Sequence, residues 1–378
     1  MTPRRGMGPG LYIHVPFCVR KCAYCAFYSG PVAPHRVRDW REGIAREWET
    51  LPTGFAPATV FIGGGTPTAL PVQDLLWLLE QVRQLGGSAP DGHNAPPDAL
   101  SEWTVEVNPG TLTTEKAAAL RTAGVNRLSI GAQSFTDATL HRLGRIHTAN
   151  DIRDSVELAR AAGFDNISLD LIYGVPGVTR DSFCADIEAA LALGPDHLSC
   201  YCLEIEPGTP FASEVTAGQL TVDEAEQREQ FDWARQRLTA AGFTHYEISN
   251  FARPGCECRH NGLYWAGGDY IGIGPGAHSH WQGRRWGNTS ELPVWKRAFD
   301  EQLEPRTKAC ETLVMGLRRL AGWRREDFVA VTGFDYDELR GPEIARLAAD
   351  GLLVAEPNRV RLAEDALFVS DTVFADLV

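Results

Sequence analysis

The sequence predicts an α/β protein whose core is a full or partial barrel of alternating strands and helices. Short β-rich runs alternate with longer helical patterns over the first two-thirds of its 378 residues. Several predicted helices end at a glycine, a usual C-terminal stop signal. This alternation predicts parallel strands joined by right-handed crossovers. Six such units in roughly 200 residues favour a partial (β/α)6 barrel, with a doubly wound open sheet as the alternative.

The predicted elements follow one another regularly along the chain. The strand-like runs are LYIHVPF, ATVFIGGG, WTVEVNP, NRLSIGAQ, NISLDLIYG and HLSCYCLEIEP. The helical patterns between them are HRVRDWREGIAREWETL, LPVQDLLWLLEQVRQLG, TTEKAAALRTAG, TANDIRDSVELARAAG and TRDSFCADIEAALALG. The stretch GGSAPDGHNAPPD, before the third strand, is rich in glycine and proline and predicts a loop insertion.

The pattern divides the chain into four regions. We expect a flexible N-terminus at 1–10, the barrel core at 11–221, an extension at 222–306 and a C-terminal module at 307–378. The module reads as three helices, the hairpin GLLVAEPNRVRLA and a short last helix, which is typical of a winged helix. Because the module is not basic, structural packing is favoured over DNA binding.

Composition excludes several functional classes. The formal net charge is −13 with no basic stripe, which argues against a nucleic-acid-binding surface. No apolar run reaches the roughly 18 residues needed to span a bilayer. The basic N-terminal segment has no apolar stretch behind it, so no signal peptide is predicted. We therefore expect a cytoplasmic protein without membrane insertion.

Polar residues and glycines follow several predicted strands. Gly63–Thr66 end the second strand, Glu106 ends the third, Gln133 the fourth, and Asp170 lies late in the fifth. The carboxyl ends of the strands form the active-site face of an α/β barrel. The pattern therefore predicts one site to which many strands contribute.

Three of the nine cysteines lie close together, as Cys18, Cys22 and Cys25 in a C-x3-C-x2-C spacing. Thiolates at such spacing bind zinc or an iron–sulfur cluster. Zinc sites usually close with four ligands from two pairs. A second pair of zinc ligands could come only from Cys256 and Cys258, which lie beside His260 in the sequence. A [4Fe–4S] cluster with three protein thiolates would instead leave one iron open to a small molecule.

The segment Cys18-x3-Cys22-x-Tyr24-Cys25 resembles the signature of the radical S-adenosylmethionine (SAM) superfamily. The resemblance implies a [4Fe–4S] cluster on the three cysteines, with SAM chelated to the open iron and cleaved to a 5′-deoxyadenosyl radical. FIGGGTPT is similar to the family's glycine-rich stretch, which contacts the SAM amino group. Glycine allows that close backbone approach because it has no Cβ.

The resemblance narrows to the branch that contains the oxygen-independent coproporphyrinogen III oxidase. YIHVPFC, GGGTPT, EVNPG, NRLSIGAQSF, LGRIH and LDLIYGVPG match that branch in the same order. It implies that one set of residues binds SAM or shapes the same cavity: Tyr12, Tyr24, Gly64, Gly65, Thr66, Glu106, Gln133, Arg145 and Asp170. Gln133, Arg145 and Asp170 match positions associated with a second SAM. From its chemistry alone, Arg145 is either a carboxylate partner or a surface ion pair.

Two features separate the oxidase from the heme chaperones that resemble it. The oxidase typically carries a fourth cysteine, as C-x3-C-x2-C-x-C, and a longer N-terminal extension. Here Phe27 stands at the position of the fourth cysteine, and only eleven residues precede Tyr12. Both features favour the heme-chaperone group.

The segment RHNGLYW, Arg259–Trp265, resembles the H-N-x-x-Y-W motif of that group. The resemblance implies that His260 ligates heme iron while two neighbouring aromatic rings cover the porphyrin. The alternative is that His260 only fixes a loop. His278, His280, Cys256 and Cys258 are weaker candidate heme ligands.

The sequence therefore predicts a heme chaperone without coproporphyrinogen oxidase activity, and no catalytic residue is assigned. It would bind a [4Fe–4S] cluster, SAM and heme, and pass heme to an acceptor protein such as a membrane respiratory enzyme. The resemblance also implies a homodimer. The alternatives are the oxidase itself, which converts coproporphyrinogen III to protoporphyrinogen IX, or another radical SAM enzyme acting on a tetrapyrrole.

Overall fold

The computed structural model describes residues 8–85 and 100–378 of the chain. The predicted loop insertion at 86–98 and most of the predicted flexible N-terminus lie outside these residues. Gly10, the last residue of that predicted terminus, already begins the first strand. The other predicted domain boundaries stay predictions.

Seventeen strands are assigned in the described residues. In chain order they are β1 (Gly10–Val15), β2 (Phe17–Cys18), β3 (Gly30–Pro31), β4 (Thr59–Gly64), β5 (Glu102–Val107), β6 (Arg127–Gln133), β7 (Ile167–Tyr173), β8 (His197–Cys202), β9 (Thr244–Glu247), β10 (Asn250–Ala252), β11 (Tyr270–Ile273), β12 (His278–Trp281), β13 (Arg284–Asn288), β14 (Arg297–Gln302), β15 (Trp323–Arg324), β16 (Leu353–Glu356) and β17 (Arg359–Leu362).

Thirteen α-helices accompany these strands in the same part of the chain. They are α1 (Pro34–Trp48), α2 (Val72–Gln84), α3 (Thr114–Ala123), α4 (Asp137–Arg142), α5 (Ala149–Ala161), α6 (Arg180–Ala192), α7 (Pro210–Thr216), α8 (Glu224–Ala240), α9 (Arg259–Trp265), α10 (Pro305–Leu317), α11 (Arg325–Thr332), α12 (Tyr336–Ala349) and α13 (Ser370–Leu377).

Six parallel strands form the barrel core in the order β1-β4-β5-β6-β7-β8. All six predicted strands are present, although the last one ends at Cys202 and is shorter than predicted. The strand order follows the chain without the reversal of a doubly wound sheet. Among the described residues the sheet is open, with β14 and β9 as its outer strands. The partial (β/α)6 barrel is confirmed, and the doubly wound alternative is not.

The sheet continues beyond the six core strands on both sides. Strand β11 pairs in parallel with β1, and β12, β13 and β14 follow it in antiparallel order. On the other side, β10 and β9 extend the sheet from β8. The sequence did not predict these short strands. They show that the extension after residue 222 contributes directly to the sheet of the barrel.

Side chains alternate between the two faces of the core strands. The outward set is apolar and fully buried against the helices, as Ile13, Ile62, Val105, Leu128 and Leu169 show. The intervening positions point into the barrel and are largely polar. Because successive residues of a strand face opposite sides, a sheet covered on its outside by helices leaves these polar groups around a central cavity.

Side-chain hydrogen bonds cap the N-termini of several helices. Thr148 and Asp151 form a capping box at the start of α5, and Thr113 accepts the hydrogen bond that begins α3. These caps satisfy backbone N–H groups that the first turn of a helix leaves free. They therefore help to fix where each helix starts against the sheet.

The C-terminal module contains the predicted helices and hairpin. Strands β16 and β17 pair in antiparallel register, with Leu353 opposite Leu362, and β15 adds a third strand beside β17. Trp323 is fully buried and donates from Nε1 to the carbonyl of Thr312 in α10 at 3.1 Å. The winged-helix-like arrangement is therefore joined to α10 through a buried contact.

None of the helices in residues 8–85 and 100–378 has the length and apolar character required to cross a bilayer.

Candidate functional site

A cavity of about 530 Å³ lies inside the barrel and opens at the carboxyl ends of the strands. It brings together eleven of the site residues predicted from the sequence: Cys18, Cys22, Tyr24, Cys25, Gly64, Gly65, Thr66, Glu106, Gln133, Arg145 and Asp170. Tyr12 and His260 are not among the lining residues. The single site expected from the strand ends is therefore present in the structure.

The cysteine loop is held against neighbouring segments by its backbone. The N–H of Ala23 donates to the carbonyl of Leu143 at 3.0 Å, and the carbonyl of Ala23 accepts from Phe211 at 3.3 Å. The thiols on either side remain partly exposed. The loop is thus anchored by its main chain, while its sulfur atoms face the cavity.

Two of the three sulfurs receive hydrogen bonds from the cavity wall. Thr66 Oγ1 donates to Cys18 Sγ at 3.6 Å, and Arg145 donates from Nη1 to Cys22 Sγ at 3.5 Å. Hydrogen bonds of this kind stabilise thiolate charge and tune an iron–sulfur cluster. Burial raises the pKa of the Cys25 thiol, although the backbone N–H of Phe27 opposes that rise.

The donor set fits a cluster better than a single metal ion. In a [4Fe–4S] cluster each thiolate binds a different iron, whereas the ligands of one zinc ion converge on a single point. Across the two described stretches, no group of three or more His, Cys, Asp or Glu side chains is arranged to hold one metal ion. Three partly exposed thiols around one cavity therefore fit a polynuclear cluster.

The glycine-rich stretch after β4 packs so closely that its glycines cannot carry side chains. Gly64 has a φ of 99°, and a Cβ there would lie 2.3 Å from His14 Nδ1. A Cβ on Gly65 would lie 2.6 Å from the carbonyl oxygen of Phe17. The N–H of Gly65 donates to the carbonyl of Val15 at 2.9 Å. The stretch thus joins the cavity wall to the segment that leads into the cysteines.

Glu106 and Asp170 are the carboxyl groups at the centre of the cavity. Burial, with the charge of Asp170 adding to it, raises the pKa of Glu106 to about 8, although the N–H of Gly64 donates to its Oε2 at 3.0 Å. Burial also raises the pKa of Asp170, opposed by hydrogen bonds from serine hydroxyls. Glu106 therefore retains acceptor capacity that a cationic ligand can use.

The end of β6 is irregular where it meets the cavity. The register with β7 shifts between Ile130 and Gln133, and Gln133 has a φ of 66°, which is uncommon for a residue other than glycine. Arg145 reaches the same place, donating to the carbonyl of Gly131 at 2.8 Å and also to Asn108 Oδ1. Such local strain is common at functional sites.

Tyr12 lies on β1 beside the cavity. Its hydroxyl is 3.1 Å from His14 Nδ1, and His14 Nε2 is 2.9 Å from the carbonyl of Tyr28, just after the cysteine loop. The rings of Tyr12 and Phe61 are 6.3 Å apart, and Phe61 lines the cavity. Tyr12 and His14 therefore link β1 to the cysteine loop.

His260 lies at the opposite end of the barrel, beside the first residues of the strands. Its Nδ1 is 2.9 Å from Thr59 Oγ1, and its Nε2 is 2.7 Å from the hydroxyl of Tyr264. The side chain is buried, and its pKa is lowered by burial to about 3. The sequence analysis grouped His260 with the cofactor-binding residues, but the structure separates it from them. Iron ligation would require one of these hydrogen bonds to break.

The second cysteine set does not form a companion zinc site. Cys258 is buried and donates from Sγ to Glu102 Oε1 at 3.5 Å, while Cys256 is only partly buried. Of the weaker candidate ligands, His280 faces Asp269 at 3.6 Å and His278 is packed beside Phe299. The structure brings none of them into the cavity that the three predicted ligand cysteines line.

The sequence analysis missed several polar residues that line the cavity. Three serines hold Asp170: Ser129 Oγ donates at 2.9 Å, Ser199 at 2.8 Å and Ser168 at 3.1 Å. Arg127, His197 and Tyr201 line the same space. The signal that could have identified them is the polar–apolar alternation in RLSIG, ISLDLIY and HLSCYC.

Comparison with known proteins agrees with this geometry. Residues 12–190 match the model of the radical SAM superfamily. The chain is 35% identical to heme chaperone HemW of Bacillus subtilis, covering 96% of this chain and 97% of that protein. It is 36% identical to heme chaperone HemW of Escherichia coli, covering 91% of each.

The solved structure of coproporphyrinogen III oxidase (HemN) from Escherichia coli, a radical SAM enzyme, aligns over 99% of this chain and 91% of that chain, with a TM-score of 0.81. Its sequence identity of 21% supports the shared fold alone. The family assignment rests instead on the relatives above, which match nearly end to end. The chain therefore belongs to the HemW family within the radical SAM superfamily.

Proposed function

We propose that this protein is a heme chaperone that carries a [4Fe–4S] cluster and SAM in the barrel cavity, binds heme and transfers it to an acceptor protein. The observation that carries the proposal is the near end-to-end match to relatives named heme chaperone HemW. Phe27 supports it, since an exposed aromatic ring stands where the oxidase resemblance expects a fourth cysteine.

In this proposal Cys18, Cys22 and Cys25 hold the cluster, which when bound supplies an open iron and a reducing electron. Thr66 and Arg145 donate hydrogen bonds to two of the sulfurs. These bonds orient the side chains and favour the thiolate form that binds iron.

The remaining wall residues bind and orient SAM. The carboxylate of Glu106 accepts hydrogen bonds from an ammonium group, and Gly64, Gly65 and Thr66 line the space beside it. Gln133 and Asp170 border the space deeper in the barrel. Tyr24 and Arg145 limit the access of water from the side of the cysteine loop.

We further propose a cytoplasmic protein that acts as a homodimer and delivers heme to a membrane respiratory enzyme. The proposal includes neither nucleic-acid binding nor membrane insertion. It assigns no heme ligand, because the hydrogen bonds of His260 occupy both of its ring nitrogens.

Heme titration of the anaerobically reconstituted protein tests the proposal. We expect a shifted Soret band with saturable binding, followed by transfer to the apo form of a heme protein at a rate above that of free heme. In parallel, coproporphyrinogen III incubated with the same protein, SAM and a reductant should give no protoporphyrinogen IX. Formation of that product, or the absence of heme binding, would contradict the chaperone proposal.

A further inference from the structure

Arg127, the first residue of β6, is a buried arginine inside the barrel. It is 2% exposed, and it lines the same cavity as the cysteines. Within the described part of the chain, its Nε is buried and has no hydrogen-bond partner. Buried polar groups in folded proteins are nearly always hydrogen-bonded. An arginine that faces a cavity with a free donor is therefore an exception that calls for a partner.

The nearest carboxyl groups are already occupied by other donors. Glu102 accepts from the backbone N–H groups of Arg259 and His260 at 2.8 and 2.9 Å and from the Cys258 thiol at 3.5 Å. Asp170 accepts from the hydroxyls of its three serines. These acids balance the charge of Arg127 from a distance, but their oxygens serve other groups.

The guanidinium of Arg127 remains charged in this position. Burial opposes the charge, but nearby acidic groups, Cys258 and Glu102 foremost, outweigh that effect and place the pKa of Arg127 above its ordinary value. A buried charge without a close partner is unfavourable unless a partner arrives. The site is thus suited to an anion that enters through the cavity.

The surroundings favour a carboxylate over a phosphate. Glu106, Asp170, Glu204 and Glu206 line the same cavity, so a doubly charged phosphate would meet more repulsion than a singly charged carboxylate. The planar fork of a guanidinium matches a carboxylate through two parallel hydrogen bonds. Asn261 offers a further polar group in the same space.

Arg127 also lies well below the cysteines. It precedes Gln133 by six positions in β6, which corresponds to about 20 Å along the strand. Arg145 is nearer the cysteines and already donates to Cys22, Asn108 and Gly131. Arg127 and Arg145 therefore lie at different depths of one cavity.

We propose that Arg127 anchors the carboxylate of a ligand that enters the barrel, binding it through Nε and one terminal nitrogen. The inference rests on the proposed function, which supplies a tetrapyrrole with propionate groups. SAM is not the source, because the proposed function places it at the open iron beside the cysteines.

Binding constants with and without the ligand carboxylate test the anchor. Reconstituted wild-type protein, Arg127→Gln and Arg127→Lys are titrated with heme and heme dimethyl ester, and separately with SAM and decarboxylated SAM. Arg121→Gln is the matched control, since Arg121 donates to the carbonyl of Gly163 outside the cavity. Circular dichroism and urea unfolding establish that each variant is folded.

For heme, we expect wild type and Arg121→Gln to prefer the free acid over the dimethyl ester at least tenfold. Arg127→Gln should lose most of this preference, and Arg127→Lys should retain part of it, because an ammonium pairs with a carboxylate without the fork. The preference for SAM over decarboxylated SAM should be the same in all four proteins, because that carboxylate belongs at the cluster.

An unchanged preference for heme over its ester in a folded Arg127→Gln overturns the anchor. If that variant does not fold, equal wild-type affinities for acid and ester overturn it as well, and so does an unchanged preference in a folded Arg127→Lys. Heme binding with an unchanged preference overturns the anchor alone, whereas absence of heme binding overturns both proposals.

Discussion

Both ends of the barrel contain cysteine and glutamate side chains, but these side chains differ in burial and in the hydrogen bonds that they form. At the carboxyl end, three cysteines keep partly exposed sulfurs, and within residues 8–85 and 100–378 Glu106 accepts one hydrogen bond, from Gly64. At the amino end, Cys258 is buried and Glu102 accepts three hydrogen bonds. Capacity to bind a ligand therefore depends on bonding groups left free, and the type of residue alone does not reveal it.

The amino end is closed by α9, which packs across the first residues of the strands. Its first N–H groups donate to Glu102, and His260 bonds to Thr59 of β4. These are hydrogen bonds between segments far apart in the chain, and they occupy Glu102 and both ring nitrogens of His260. Four tests, from the largest expected effect to the smallest, examine whether the two ends differ as described.

Cys22→Ala should have the largest effect, because it removes one of the three predicted cluster ligands. We expect anaerobic reconstitution to load about four irons per wild-type chain and almost none in the variant. Iron and sulfide analysis measures the loss. Cys184→Ala, in helix α6, is the control and should load normally. Normal iron content in Cys22→Ala would show that the three cysteines are not the cluster ligands.

His260→Ala should destabilise the fold while leaving iron loading intact. It removes a buried ring and leaves Thr59 and Tyr264 without their partner, which should lower the free energy of unfolding by about 3 to 4 kcal/mol. Urea denaturation of the cluster-free protein measures the change. His35→Ala, on the exposed side of α1, should change stability by less than about 0.5 kcal/mol. Equal stabilities for the two variants would show that His260 does not hold the amino end closed.

Glu106→Gln should stabilise the ligand-free protein increasingly as the pH rises. The pKa of Glu106 is about 8 in the fold against an ordinary value of 4.5. Between these values the folded state binds the extra proton, so wild-type stability falls with rising pH. Glutamine does not titrate and can still accept from Gly64. The stability of the variant relative to wild type should therefore grow by about 2.5 kcal/mol from pH 5 to pH 7.

Urea denaturation across that pH range measures the difference. Glu42→Gln, on the exposed face of α1, carries the same substitution outside the cavity. A flat or decreasing difference for Glu106→Gln would mean that this carboxyl group is already ionised at pH 5, and that the carboxyl end is more hydrated than described.

Phe27→Ala should have the smallest effect on the fold, although it changes a large side chain next to the cysteines. The ring is 67% exposed, so its removal should alter the free energy of unfolding by less than about 0.5 kcal/mol and leave iron loading unchanged. Phe17→Ala is the contrasting variant, because Phe17 is fully buried and should lose about 3 to 5 kcal/mol. Reduced iron in Phe27→Ala would assign the ring a role in protecting the cluster.

The fold and much of the carboxyl end were predictable because their signals are local. Runs such as NISLDLIYG identify a strand, and the cysteine spacing and the glycines after β4 are each contained in a few residues. The closed amino end was not predictable, because Glu102 and His260 are 158 positions apart and their contact depends on the complete sheet. Arg127 was overlooked for a related reason. A polar residue at the start of an apolar run indicates the beginning of a strand, and its position inside the barrel depends on the complete sheet.

The pairing of β1 with β11 has a consequence for how the protein is made. Strand β1 leads directly into the cysteine loop, and one of its two neighbours is formed by Tyr270–Ile273, far along the chain. During synthesis at roughly 5–20 residues per second, β1 remains an edge strand for many seconds after it leaves the ribosome. The barrel therefore completes its sheet late, and until then β1, which leads into the cysteine loop, keeps one edge unpaired.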